Sequence, residues 1–164
     1  MKNLTATYKG LITGSAMILI SIGIFFYKGS FENSLQYITY FTYIAGILWT
    51  MITYKRSDEE IKTFKNYFTQ GFKCFIVITF MMVVFTWIFL KSNPALKEEM
   101  ANAYRLELLK SGNKTSQEID TMVMNAKQYF ITMLTSMAIF GYLLIGALVT
   151  VIAAAFLSQQ RKNG

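Results

Sequence analysis

The stretch QYFITMLTSMAIFGYLLIGALVTVIAAAFLSQQ, residues 128–160, carries no charged side chain and no proline. As helix, 33 residues extend about 50 Å, against the roughly 30 Å of a bilayer's hydrocarbon core. Two crossings would need a tight turn, and only Gly141 and Gly146 are weak points. The expected reading is one long helix that starts outside a membrane and then crosses it.

Three more uncharged runs, 10–27, 33–54 and 74–90, extend this reading to the rest of the chain. Hydrophobic residues make up 54% of the 164 residues and charged residues only 15%. Soluble domains carry about 25% charged residues, so much of this surface must face something other than water. Disorder, a disulfide scaffold and a soluble enzyme core are excluded by this composition.

GLITGSAMILISIGIFFY (10–27), bounded by Lys9 and Lys28, is long enough to cross. Its apolar stretch is long for a secretory signal, and no small-x-small cleavage site follows before Glu32, so a retained first span is expected. LQYITYFTYIAGILWTMITY (35–54) ends at Lys55 and Arg56, and its Tyr and Trp residues suit the headgroup level. CFIVITFMMVVFTWIFL (74–90) is short unless the span starts near residue 70, which the snorkelling of Lys73 permits. The fourth span is expected over 130–157. The fold class that follows is an all-α membrane protein: a single four-span domain with an interfacial helix and a small helical hairpin outside the membrane.

Sidedness follows from Lys and Arg. Nine of them fall on the side of the N-terminus and seven on the other, which predicts both termini and the 55–73 connection in the cytoplasm and 91–127 in the periplasm. The net charge of +7 is spread over membrane boundaries rather than one face, so anionic headgroups are the expected partner, not nucleic acid.

Both longer connections read as helical. Ser57 and Glu60 have capping-box spacing, and Asp58, Glu59 and Glu60 suit a helix N-terminus. Ile61, Phe64, Phe68, Phe72 and Phe75 then recur at steps of three and four, which predicts an amphipathic helix over 58–72 at the cytoplasmic interface, running past Lys73 into the third span. Such a face either rests on lipid or docks a partner. Beyond the third span, Asn93-Pro94 stops one helix and Pro94 opens the next. Gly112 stands where a C-terminal cap is expected, with Met100, Ala103, Tyr104 and Leu108 marking an apolar stripe before it. Thr115 and Glu118 form a second capping box, opening a helix expected to run through Met122, Met124 and Tyr129 into the fourth span. A hairpin of 37 residues needs support from the membrane surface, from its own copy or from another protein.

Catalytic groups are scarce. Without His and with Cys74 alone, neither a Cys/His nucleophile, a Ser-His-Asp arrangement, an imidazole metal site nor an internal disulfide is available. All nine carboxylates lie outside the uncharged runs, which leaves no acidic proton relay in the membrane. Glu98, Glu99, Glu107, Glu118 and Asp120 form either a weak cation site or, interspersed with Lys97, Arg105 and Lys110, a solvated helix face. No catalytic, cofactor-binding or metal residue is assigned.

The pattern that carries most is of small residues: Gly10 and Gly14 in the first span, and Gly146, Thr150 and Ala154 at four-residue steps in the fourth. Small residues let helix backbones approach closely, either within the chain's own bundle or at an interface with another membrane protein. Thr39, Thr42, Thr79, Thr86, Thr132 and Thr135 can bond neighbouring helices or their own carbonyls.

A two-span hairpin, the Phe-rich approach FKNYFTQGF (64–72), a third span, Asn93-Pro94, a charged helix, Gly112, the Thr115/Glu118 turn and a long Gly-containing last span follow in order. This arrangement resembles the family of domain of unknown function 4199, over nearly the whole chain. The resemblance implies a small four-span inner-membrane protein of a type common in Bacteroidota, and carries over no catalytic residue. The expected function is a non-catalytic accessory or scaffolding subunit, with the bilayer and another integral membrane protein or a second copy as partners. Alternatives are a small transporter or channel, or, from the resemblance, an auxiliary of a membrane glycosyltransferase or other enzyme of lipid-linked substrates.

Overall fold

A computed structural model describes residues 4–28, 33–56 and 63–159. Six helices account for nearly all of them: α1 (Ala6–Lys28), α2 (Asn33–Lys55), α3 (Phe64–Ser92), α4 (Pro94–Ser111), α5 (Ser116–Gln128) and α6 (Phe130–Gln159). Among the described residues there is no strand. Three segments are long and apolar enough to cross a membrane: Ala6–Tyr27, Phe64–Ser92 and Phe130–Gln159. α2 has 23 residues and more Thr and Tyr, which lowers its hydropathy.

Packing divides the chain into two compact units, Met1–Met82 with Ile139–Gly164, and Val83–Ala138. In the first unit, α2 runs antiparallel to α1, since Gly46 meets Thr13 and Trp49 meets Lys9. α3 runs parallel to α1: Gly10 lies against Cys74 and Val77, and Gly14 against Met81 one turn further along. α6 runs antiparallel to α3, with Thr150 on Gly71 and Phe75 on Gly146. α3 therefore touches all three of its neighbours. Tyr43, Ile47, Met51, Tyr67, Cys74, Ile78 and Met17 fill the centre, each 1% exposed or less.

The outer surface of this unit is strongly apolar, and small polar groups join the apolar side chains inside. Leu19, Phe80, Phe140, Leu144, Ile152 and Phe156 point outward at 61–76% exposure, whereas Thr13, Ser21, Thr50, Thr79 and Thr150 point inward. Water would make that outer surface costly, at about 25 cal/mol for each Å² of apolar area; hydrocarbon would not.

Local chemistry explains the second unit. Pro94 sits in the first turn of α4, where a missing N–H costs nothing. Gly112 closes α4 in the left-handed region (φ 65°, ψ 0°), a conformation that a side chain would strain, and its N–H donates to the Leu109 carbonyl. Thr115 and Glu118 form the capping box that starts α5. Ala101 and Leu108 of α4 pack on Ile119 and Val123 of α5, flanked by Tyr104 and Met122.

Two sequence expectations shift here. The buried stripe of α4 runs through Ala101, Tyr104 and Leu108, while Met100 and Ala103 are exposed, because contact with α5 selects one of two overlapping stripes. α5 does not flow unbroken into the long apolar helix α6: it ends at Gln128, and Tyr129 (φ −99°, ψ 9°) separates the two, with Met124 and Tyr129 turned outward.

Candidate functional site

The small and polar interior of the first unit is where the site residues expected from sequence converge. A Cβ on Gly10 would stand 2.8 Å from the Cys74 carbonyl oxygen, and one on Gly14 2.7 Å from the Met81 sulfur. A Cβ on Gly146 would overlap the Tyr43 hydroxyl and the Phe75 ring. Thr150 and Ala154 are fully buried. All five positions thus face the chain's own helices. The Thr150 hydroxyl, pressed against Gly71, has no hydrogen-bond partner among the described residues.

Two polar clusters tie these helices together. The Tyr43 hydroxyl donates to the Tyr142 carbonyl at 2.8 Å and lies 3.4 Å from the Thr79 hydroxyl, so α2 is bonded to α6 and adjoins α3. The Tyr43 ring also meets the Tyr142 ring edge-on at 5.4 Å. About two turns along α2, the Thr50 hydroxyl donates to the Gly46 carbonyl at 2.9 Å, with the Cys74 sulfur at 3.2 Å. Thr42 and Thr53 likewise donate to carbonyls four residues back, at Ile38 and Trp49. Four of the hydroxyls that make α2 less apolar, those of Thr42, Tyr43, Thr50 and Thr53, are therefore satisfied within the protein.

Sequence reading missed Gly46, Gly71 and Tyr43. Gly46-x-x-x-Thr50 is the same small-residue spacing noted at Gly146 and Thr150, and would have flagged the first of them. Tyr43, one of the Tyr residues expected at the headgroup level, is wholly buried.

The Phe residues of the expected interfacial face form a ladder along the first turns of α3. Phe64 stacks on Phe68 at 6.1 Å, Phe68 on Phe72 at 5.9 Å, and Phe72 meets Phe75 edge-on at 5.1 Å. Phe64, Phe72 and Lys73 are exposed, and no break separates this segment from the rest of α3. Ile61 and the Ser57–Glu60 capping box lie outside the described residues.

In the second unit three of the acidic residues, Glu98, Glu118 and Asp120, have partners. Arg105 pairs with Asp120, and Lys127 with Glu98, in each case bridging the consecutive helices α4 and α5. The Glu118 carboxylate accepts from the Thr115 backbone N–H at 2.7 Å and from its hydroxyl at 2.9 Å. The backbone bond first, and the hydroxyl second, hold the Glu118 carboxyl below its ordinary range. Among the described residues, no group of three or more His, Cys, Asp or Glu is placed to hold a metal ion.

No curated protein and no solved structure matches the chain. The family model described as a protein of unknown function (DUF4199) matches residues 8–159, which takes in both units and every element from α1 to α6. The chain belongs to the DUF4199 family of proteins of unknown function.

Proposed function

We propose that the chain is a four-span protein of the bacterial inner membrane that serves another integral membrane protein, or a second copy of itself, as a non-catalytic accessory or scaffolding subunit. Insertion is supported by the outward apolar side chains and inward polar groups of the first unit. α2 is the fourth crossing. α1 and α3 lie side by side in parallel, so the chain must return across the membrane between them, and α2 runs antiparallel to both. Its 23 residues span about 34 Å.

The bias of Lys and Arg places both termini in the cytoplasm and residues 91–127 in the periplasm. An alkaline phosphatase fusion after Ser111 should be active; an inactive fusion that is stably expressed reverses the orientation.

The observation that carries the accessory role is the outer surface of the α4–α5 hairpin. Leu106, Leu109 and Met124 are 59%, 52% and 70% exposed on a segment otherwise rich in charge. These side chains offer apolar contact area to a partner helix. Cys74, the one thiol of the chain, is sealed against Thr50 rather than open to a substrate. Purification in mild detergent followed by mass spectrometry should recover one stoichiometric companion or a defined oligomer. Repeated recovery as a lone monomer contradicts the role.

A further inference from the structure

Lys9 is only 4% exposed, and the described residues of the first unit include no Asp or Glu. Its ammonium group lies 5.7 Å from the centroid of the Trp49 ring on α2, a partial substitute for a counter-charge. A buried cation ordinarily has an anionic partner, because the desolvation it suffers is otherwise uncompensated.

Its surroundings indicate what that partner is. Gly10 abuts Cys74, so Lys9 and Lys73, each one residue earlier in parallel helices, stand at the same level. Lys73 is exposed, and Trp49 and Phe72 are 42% and 44% exposed. Lys65, eight residues earlier on α3, lies about 12 Å further towards the same end, where Arg56 follows the end of α2. The level thus combines cations with half-exposed aromatic surface, and Trp belongs at the headgroup plane.

We infer that this level of the first unit, marked by Lys9, Trp49 and Lys73, binds the phosphate of an anionic phospholipid, with Lys9 as the buried counter-charge. The inference rests on the membrane reading above. A lipid suits the level better than a free anion because Trp49 and Phe72 offer apolar contact to the glycerol and upper acyl chain beside the cations.

Native mass spectrometry of the full chain, released from mild detergent, tests this with phosphatidylglycerol, with phosphatidylcholine of the same acyl chains, and with inorganic phosphate. Phosphatidylglycerol should half-saturate at a concentration about tenfold lower than phosphatidylcholine. Lys9→Gln and Lys73→Gln should each remove most of that preference, Lys9→Arg should keep it, and Lys110→Gln on α4 should leave it unchanged. Should Lys9→Gln fail to fold, the Lys73→Gln result decides. Equal retention of the two lipids overturns the inference, as does an unchanged preference in folded Lys9→Gln, or retention of inorganic phosphate in place of lipid. A protein that stays soluble without detergent overturns the membrane reading itself; one that needs detergent but shows no preference overturns only this site.

Discussion

The hydroxyl of Tyr43 reaches from α2 to the backbone of α6, donating to the carbonyl of Tyr142 at 2.8 Å. It gets there because position 146, one turn further along α6, is glycine, and any Cβ would occupy the space of that hydroxyl. A hydrogen bond and a close helix contact therefore depend on each other.

Tyr43→Phe should destabilise the protein by about 0.6 kcal/mol, the usual worth of a side-chain hydrogen bond between spans. Gly146→Ala should cost more, about 1–3 kcal/mol, since the added methyl meets Phe75 as well as Tyr43. Thermal unfolding in one detergent compares the two. Gly146→Ala proving the milder change would contradict the packing described.

Cys74 is the chain's single cysteine and is fully buried, so it reports opening of the first unit. A maleimide should label it only slowly in mild detergent. Gly46→Ala forces a methyl into Thr13 and should speed labelling by about tenfold or more, equivalent to roughly 1.4 kcal/mol lost from the closed state. Equal rates in the two proteins would mean that the α1–α2 contact does not hold the unit closed.

Glu118 should show a low carboxyl titration. Its ionised form is favoured in the folded state by the Thr115 N–H and hydroxyl. The sign follows: the cap's contribution is complete above the ordinary glutamate value of about 4.3, and fades as pH falls through the lower folded value. NMR titration of the full chain in detergent should find Glu118 below that ordinary value, and Thr115→Ala should move it back up. A titration unaffected by Thr115→Ala would remove the capping box as its cause.

The hairpin should depend on its apolar core rather than its ion pairs. Leu108→Ala opens a cavity between α4 and α5 and should cost about 2–3 kcal/mol of local stability. Asp120→Asn should cost less than about 1 kcal/mol, because the Arg105 and Asp120 side chains are 47% and 58% exposed. Amide hydrogen exchange across α4 and α5 at fixed pH ranks them, and a larger effect from Asp120→Asn would contradict the core as the main support.

Much of this architecture is legible in the sequence because its signals are local. Uncharged runs locate α1, α3 and α6, while Pro94, Gly112 and the Thr115/Glu118 pair mark the ends of α4 and α5. Facing is not legible in the same way. When every side of a helix is apolar, hydropathy cannot say which side turns inward, so Gly71, which has no small partner at four-residue spacing to mark it, is found only once neighbouring helices are placed. Tyr43 is ambiguous for a related reason: a Tyr near a span's centre and one in the headgroup belt are the same residue until a partner carbonyl is seen. On α4 the choice between Ala101 and Ala103 depends on Ile119 and Val123, about twenty residues away.

Membrane insertion itself is tested most directly by washing isolated membranes with alkaline carbonate and recentrifuging them. A bundle with its apolar faces in hydrocarbon stays in the pellet and is released only by detergent. Recovery of the chain in the carbonate supernatant would contradict insertion and the arrangement of spans built on it.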